Sequence, residues 1–306
     1  MWESSVWCAL KVVLGLYLLY YLYRISKFIY EMWILPVWKK PIDLKSTGEW
    51  AVITGCTDGI GREYAIQLAK KGMHLILISR SESKLEEFQI YLSNEYNIKV
   101  RTIAVDFTNI KSSYKTVEEG VSGLDIGVLI NNVGMLNGYK LFLQDDYQVM
   151  SDMVEVNVNG TVLMTSIILP HLVTKKKGVI INIGSYSSLV QTPHMVCYGA
   201  TKKFILKFSE DLRREYANCG ITIQCQTPSF IATKLSRIES PSIFVPTAEE
   251  YVASAMKTIG IHDVTCGYLV HDLMIATNRI GEETLPSFSN YLTSKYIDSI
   301  RKKSGH

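Results

Sequence analysis

The sequence predicts an α/β fold, a doubly wound parallel sheet of about seven strands with helices on both faces. From Trp50 onward, short β-forming runs alternate with segments of helix length, which is typical of repeated β-α crossovers. A glycine-rich turn directly after the first run supports the same fold. The predicted strands are 50–54, 73–79, 99–105, 126–130, 179–183, 221–226 and 267–270.

Composition limits the class of protein. The 306 residues contain no linker rich in Pro, Gly or Ser, so we expect one large domain rather than two small ones. The formal net charge of +3 is spread without a basic cluster, which argues against a nucleic-acid partner. Six cysteines without CxxC pairs and six separated histidines predict reduced thiols and no metal site.

The N-terminus differs in composition from the rest of the chain. Val6 to Tyr23 is apolar or aromatic apart from Lys11, and a transmembrane helix needs about 20 such residues. Basic residues follow this run and only Glu3 precedes it, so the positive-inside rule places the following domain in the cytosol. An amphipathic helix lying on the membrane and an arm packed on the domain are the alternatives; a signal peptide is disfavoured because no small-residue cleavage site follows.

The first predicted strand runs into a glycine-rich turn, Thr54-Gly55-Cys56-Thr57-Asp58-Gly59-Ile60-Gly61, and a helix-forming segment follows it. Glycines let the backbone turn tightly and approach a pyrophosphate, which free N–H groups at a helix N-terminus can hold. The G-x-x-x-G-x-G spacing is weak evidence alone, but it is stronger after the first strand of such a series. It predicts a Rossmann-like dinucleotide site.

Residues at the ends of the next strands predict which dinucleotide binds. Arg80 follows the second strand, where an acidic residue would select a ribose 2′-hydroxyl and an arginine suits the 2′-phosphate of NADPH. A solvated arginine at a strand end is the alternative. Asp106 ends the third strand and can accept a hydrogen bond from an adenine amino group. Asn131-Asn132-Val133-Gly134 ends the fourth strand at the ligand-binding edge.

Three residues predict the chemistry of carbonyl reduction. Ser185 follows an apolar strand, Tyr198 comes thirteen residues later, and Lys202 lies one helical turn after it. An ammonium beside a phenol favours the phenolate, so we expect Lys202 to lower the pKa of Tyr198, while a serine hydroxyl can hold a carbonyl oxygen. The same Tyr-x-x-x-Lys spacing at Tyr23 and Tyr291 lacks the serine, and we interpret both as coincidental.

These motifs, together with Asn157 after the fourth strand, resemble the short-chain dehydrogenase/reductases over roughly residues 48 to 270. The hydrophobic N-terminus, the glycine-rich turn, Leu77-Ile78-Ser79-Arg80 and Ile231-Ala232-Thr233-Lys234-Leu235 narrow the resemblance. They are similar to the branch that contains membrane-bound 17β-hydroxysteroid dehydrogenases, very-long-chain 3-oxoacyl-CoA reductases and hydroxysteroid dehydrogenase-like proteins.

The resemblance implies a role for each matching residue. Tyr198 would donate a proton to the ketone oxygen, Lys202 would hold the nicotinamide ribose, and Ser185 would orient the carbonyl. Asn157 would keep a water that links Lys202 to solvent. The implied cofactor-binding residues are Gly55, Thr57, Asp58, Gly59, Ile60, Arg80, Asp106, Asn132, Tyr198, Lys202, Pro228, Ile231 and Thr233.

The resemblance also implies an organisation and an activity. We expect a hydrophobic anchor and juxtamembrane arm over 1–45, a catalytic domain over 46–275 with a substrate loop at about 234–249, and a C-terminal extension over 276–306. The implied activity is NADPH-dependent reduction of a lipid ketone at the endoplasmic reticulum membrane, rather than in the mitochondrion. A 3-oxoacyl-CoA is favoured over a 17-ketosteroid, and a homodimer is compatible with the family. A catalytically silent scaffold is the alternative from another class.

Two features bear on the substrate. Many members of the family have Pro-Gly where this chain has Pro228-Ser229, a change that restricts the backbone and affects the shape of the substrate site. Ile243, Phe244 and Val245 predict an apolar wall for a long acyl chain or a sterol, although a loop packed on its own domain would have the same composition.

Overall fold

The computed structural model describes residues 2–303 and divides into two compact units, residues 1–41 and 42–306. The first unit is helical: α1 (Trp2–Ile29) continues through a π-helical turn (Tyr30–Ile34) into α2 (Leu35–Trp38). The stretch Ser5–Trp38 is long and apolar enough to cross a membrane, and none of it is buried. The predicted span lies inside this stretch.

The second unit is built on one parallel sheet with the strand order β3-β2-β1-β4-β5-β6-β7. The order reverses between β1 and β4, which opens a ligand-binding crevice at the carboxyl ends of these strands. The strands are β1 (Trp50–Thr54), β2 (His74–Ser79), β3 (Val100–Ala104), β4 (Ile126–Asn131), β5 (Gly178–Ile183), β6 (Ile221–Gln226) and β7 (Val264–Thr265). The predicted parallel sheet of about seven strands is confirmed.

Helices cover both faces of this sheet. Alternate strand residues point to opposite faces, so Val52 and Ile53, both fully buried, belong to two different apolar clusters. Apolar burial on both faces is the main stabilising term, at roughly 25 cal/mol per Å². The helices are α3 (Gly59–Lys70), α4 (Glu82–Tyr96), α5 (Tyr114–Val121), α6 (Tyr147–Val154), α7 (Gly160–Lys175), α8 (Val196–Glu215), α9 (Ala248–Ala255), α10 (Leu269–Thr284) and α11 (Pro286–Lys303).

The predicted position of the seventh strand is wrong. The strand is Val264–Thr265. In the predicted segment 267–270, the first two residues form a bend and the last two are the first residues of α10. Gly267 adopts a φ of +73°, and the Asp272 carboxylate accepts a hydrogen bond from the Cys266 N–H at 2.8 Å. The left-handed turn and this bond near the start of α10 end the strand early.

The C-terminal segment packs back onto the domain through one face of α11. Its buried residues recur every three or four positions, at Ser289, Thr293, Ile297 and Ile300, which is the pattern of a helix with one buried side. Ile297 and Ile300 share a cluster with the substrate loop residue Val245. The predicted extension therefore packs against the predicted substrate loop, and its last three residues lie outside the described part of the chain.

Candidate active site

The ends of β5 and α8 bring Ser185, Tyr198 and Lys202 to one pocket. Ser185 caps the short helix Tyr186–Ser188, and its hydroxyl accepts a hydrogen bond from the Ser187 N–H at 3.2 Å. Tyr198 and Lys202 lie one turn apart in α8, with Lys202 Nζ 5.8 Å from the centroid of the Tyr198 ring. The spacing predicted from sequence thus becomes a cluster in space.

Lys202 is held as a buried cation. Its side chain is 4% exposed, and Nζ donates a hydrogen bond to the Ile183 carbonyl at 2.8 Å. Burial disfavours the charged form and lowers the pKa of Lys202 to about 8. The ammonium is therefore retained at neutral pH and lost in mildly alkaline solution.

The pKa of Tyr198 is raised rather than lowered. Burial disfavours the phenolate, and the Ser185 hydroxyl, as a hydrogen-bond partner, opposes this effect only in part. The expectation that Lys202 lowers this pKa is wrong for this structure, because its Nζ lies over the phenol ring and donates to Ile183. Tyr198 keeps its proton at neutral pH, which is the form that a general acid needs.

Asn157 lies in a π-helical turn, Glu155–Asn159, between α6 and α7. Its side chain accepts from the Met135 N–H at 2.7 Å and donates to the Met135 carbonyl at 3.1 Å and to the Thr201 hydroxyl at 3.0 Å. The Met135 backbone and the Thr201 hydroxyl thus satisfy this buried amide. These bonds fix the segment after β4 beside α8, and the water relay stays a prediction.

The glycine-rich turn connects β1 to α3. Gly59 has a φ of +53°, and a Cβ there would lie 3.1 Å from Thr233 Cγ2, so a side chain would be strained. The Asp58 carboxylate accepts from the Gly59 N–H at 2.7 Å and pairs with Lys234 Nζ at 2.9 Å. This exposed pair joins the turn to the substrate loop. Ile60, in the first turn of α3, lines the pocket.

Asn132 braces this turn from the end of β4. Its amide donates to the carbonyls of Thr54 and Gly55 at 2.9 and 3.0 Å. A side chain at Gly61 would collide with the same amide. Both hydrogen bonds from the amide nitrogen are made to this turn, so Asn132 supports the predicted dinucleotide site. A contact between Asn132 and a ribose stays a prediction.

Polar groups gather where the adenosine end of a dinucleotide is predicted. Arg80 is exposed directly after β2. The Thr108 N–H and hydroxyl donate to the Asp106 carboxylate at 3.0 and 2.9 Å; with a further contribution from Arg80 they hold the pKa of Asp106 below its usual value. The Thr57 hydroxyl lies 3.1 Å from that of Ser79. The predicted residues of this end are thus close together.

The loop after β6 faces the catalytic group. The Pro228 carbonyl accepts a hydrogen bond from the Tyr186 N–H at 2.7 Å, which holds the loop beside Ser185. Pro228, Ile231 and Thr233 all line the same pocket. The structure therefore places the residues predicted for the nicotinamide end next to the predicted catalytic residues.

The pocket has apolar walls that sequence reasoning located only in part. Its residues surround about 880 Å³ of space, which includes the open mouth of the pocket. Ile243 and Phe244 do not form its wall, because they are 64% and 52% exposed, while Val245 is buried in the neighbouring cluster. The apolar wall comes instead from Leu136, Met195, Phe230, Leu235 and Ile297.

The sequence analysis missed the contribution of α11. Thr293, Tyr296 and Ile297 line the pocket opposite the catalytic group, and Tyr296 packs against Phe230 with ring centroids 5.8 Å apart. The helical spacing of Thr293, Ile297 and Ile300 was the available signal. It predicts an apolar helix face, but not the surface that this face covers.

His271 is a second residue that the sequence did not single out. It is fully buried in α10; its Nδ1 accepts from the Ser229 N–H at 3.3 Å, and its Nε2 lies 3.1 Å from the Phe244 carbonyl. Burial lowers its pKa to about 4, so the imidazole is neutral and Nε2 carries the proton. One side chain thus ties the loop after β6 to the substrate loop.

Comparisons with known proteins find related sequences and structures. A family model described as short chain dehydrogenase matches residues 49–242. A very-long-chain 3-oxoacyl-CoA reductase of Rattus norvegicus is 42% identical over 263 residues, 83% of this chain and 84% of the relative. Hydroxysteroid dehydrogenase-like protein 1 of Gallus gallus is 39% identical over 275 residues, 88% of this chain and 82% of the relative. A short-chain dehydrogenase from Sphingobium yanoikuyae in complex with NADPH has a TM-score of 0.65 and 27% identity, over 71% of this chain and 86% of that one.

Proposed function

The chain belongs to the short-chain dehydrogenase family, and we propose that it reduces the ketone of a 3-oxoacyl-CoA with NADPH as the hydride donor. The observation that carries the proposal is the cluster of Ser185, Tyr198 and Lys202 in a pocket with apolar walls. The two relatives share about 40% of their residues with this chain over most of its length, and one of them is a very-long-chain 3-oxoacyl-CoA reductase.

The residues present fit a phosphorylated dinucleotide. A side chain at Gly59 would be strained, because this residue has a φ of +53°. Gly59 begins α3, and the N-terminus of a helix favours an anion. Arg80, exposed after β2, suits the 2′-phosphate of NADPH. The Sphingobium relative was solved with NADPH. When bound, NADPH supplies a hydride to the carbonyl carbon.

The protein residues supply the proton and the geometry. Tyr198 is protonated because burial raises its pKa, so it can donate a proton to the carbonyl oxygen as negative charge develops there. The Ser185 hydroxyl lines the same pocket and holds that oxygen in line with Tyr198. The Lys202 ammonium, fixed by Ile183, would hold the nicotinamide ribose beside Tyr198.

The N-terminal helix supports a membrane location. Ser5–Trp38 is long and apolar enough to span a bilayer, and basic residues follow the predicted span from 6 to 23. We place the protein at the endoplasmic reticulum membrane with its catalytic domain facing the cytosol. Long-chain acyl substrates are concentrated at such a surface.

The assignment of regions and assembly belongs to the same proposal. Residues 1–45 anchor the protein, 46–275 carry the dinucleotide and catalytic residues, and the extension over 276–306 completes the substrate pocket through Tyr296 and Ile297. For the homodimer, stacked Phe204 and Phe208 on α8, with ring centroids 5.9 Å apart, offer an apolar surface to a second copy.

A substrate series tests the proposed function. The purified full-length protein in detergent is assayed for NADPH oxidation with 3-oxoacyl-CoAs of increasing length and with a 17-ketosteroid. Each buried methylene contributes roughly 0.8 kcal/mol, so kcat/KM is expected to rise with chain length until the pocket is filled. A flat or falling series, with efficient reduction of the steroid, would replace the acyl assignment by the ketosteroid one.

A further inference from the structure

Two hydroxyl groups in the pocket wall lack a hydrogen-bond partner of good geometry. Ser229 Oγ and Tyr296 Oη are both buried, and neither has such a partner among the described residues. Burial raises the pKa of Tyr296, and a loose hydrogen bond with Ser229 opposes this effect in part, so the two hydroxyls lie close to each other. Buried hydroxyls without partners are costly and uncommon, and both residues line the substrate pocket.

The missing partner is a neutral acceptor. Each hydroxyl has a proton to donate, and a carbonyl oxygen has two lone pairs, so one such oxygen can satisfy both. Among the pocket-lining residues that the structure describes, Lys202 is the sole cation, and it serves the catalytic group. A carboxylate or phosphate beside Tyr296 would lose its hydration without gaining a counter-ion, which excludes a charged group there.

The position of Ser229 sets how far this acceptor lies from the reacting ketone. β5 and β6 pair with Ile183 opposite Gln226, and the Tyr186 N–H bonds to the Pro228 carbonyl beyond the strand ends. Ser229 thus lies about one strand spacing, roughly 4.8 Å, from the segment that carries Ser185. An acceptor that bridges these positions belongs to a 1,3-dicarbonyl compound rather than to the far end of a steroid.

We propose that Ser229 and Tyr296 form a second carbonyl site, which binds the thioester oxygen of a 3-oxoacyl-CoA while Ser185 and Tyr198 hold its ketone. The site rests on the proposed function and makes it more specific: the enzyme recognises both carbonyls of a 3-oxo thioester. His271 supports the site, because it fixes the backbone of Ser229 through the bond to its N–H.

The test compares two substrates that differ at one carbonyl. The first is a long-chain 3-oxoacyl-CoA, and the second is its thioether analogue, in which a methylene replaces the thioester carbonyl. A site built to bond a polar group discriminates strongly against an analogue that lacks it. We expect wild-type kcat/KM to favour the thioester by about tenfold to a hundredfold.

Single substitutions test whether Ser229 and Tyr296 cause the preference for the thioester. Tyr296→Phe and Ser229→Ala are expected to lower kcat/KM for the thioester by about tenfold or more. For the thioether, kcat/KM is expected to stay within about twofold of the wild-type value. Tyr291→Phe, on the exposed face of α11, is the matched control and should change neither. NADPH binding, measured by fluorescence titration, should match the wild type in all three variants.

The outcomes separate the inference from the proposed function. The second carbonyl site would be overturned if wild-type kcat/KM were equal for thioester and thioether, or if the variants lowered kcat/KM for both substrates alike. Either result would leave the proposed ketone reduction intact. A wild-type enzyme that reduces a 17-ketosteroid but no 3-oxoacyl-CoA would overturn the proposed function and the site together.

Discussion

The bonds of His271 lead to a prediction about stability and pH. In the folded protein the neutral imidazole accepts from the Ser229 N–H and donates to the Phe244 carbonyl. His271→Gln keeps one acceptor and one donor but loses the shape of the ring. We expect this variant to unfold about 1–3 kcal/mol more easily at pH 7, the usual cost of disturbing buried hydrogen bonds.

The pH dependence separates this role from simple packing. An unfolded histidine gains a proton below about pH 6.5, whereas the folded imidazole stays neutral until its pKa of about 4. The stability that this residue provides is therefore complete above pH 6.5 and is lost as the pH falls towards 4. Relative to the glutamine variant, the wild type should lose about 2 kcal/mol between pH 7 and pH 5.

Denaturant unfolding of the full-length protein in detergent, followed by circular dichroism at both pH values, measures this difference. Asp272 has its pKa raised to about 6 by burial and is present in both proteins, so its contribution cancels in the comparison. His171→Gln, at a partly exposed position on α7, is the control for replacing a histidine by glutamine elsewhere in the chain. If the difference in unfolding free energy between the wild type and His271→Gln stays constant from pH 7 to pH 5, the proposed role of the neutral imidazole is refuted.

Three further predictions concern the cofactor, the catalytic lysine and the membrane. Arg80→Ala should weaken NADPH binding about tenfold and leave NADH nearly unchanged, as measured by fluorescence titration; equal losses would contradict a phosphate contact. The value of kcat/KM should be level below pH 8 and fall above it, because Lys202 loses its proton near its pKa of about 8; a profile level to pH 10 would contradict this role. The full-length protein should stay with membranes in carbonate extraction, and its release would contradict a spanning anchor.

Local patterns predicted the sheet well, because a buried parallel strand must be a short apolar run and its crossover must be helical. The predicted bounds of β1 and β6 match the structure at every residue. β7 was misplaced because Val264 and Thr265 form too short a run to stand out, whereas Gly267 to Val270 resembles a strand. A hydrogen bond from the Cys266 N–H to the Asp272 carboxylate helps to end the strand. The spacing of apolar residues does not predict a hydrogen bond of this kind.

In the candidate site, too, the sequence predicted some features and not others. Ser185, Tyr198 and Lys202 were predictable because their spacing along one strand and one helix determines their proximity. The direction of the Tyr198 pKa shift was not, because it depends on burial and on where the Lys202 ammonium points. Tyr296 and His271 approach the pocket from helices far along the chain, and their contacts depend on how α10 and α11 pack.

Replacement of the proposed proton donor tests the central claim most directly. Tyr198→Phe removes the hydroxyl and keeps the ring, so turnover of a 3-oxoacyl-CoA should fall about a hundredfold or more while NADPH affinity stays within about twofold. Tyr291→Phe is the matched control, because Lys295 Nζ lies 5.6 Å from the Tyr291 ring centroid, close to the 5.8 Å of the Tyr198 and Lys202 pair, but on the exposed face of α11. The account predicts full turnover for this control, and near-normal turnover of Tyr198→Phe would contradict it.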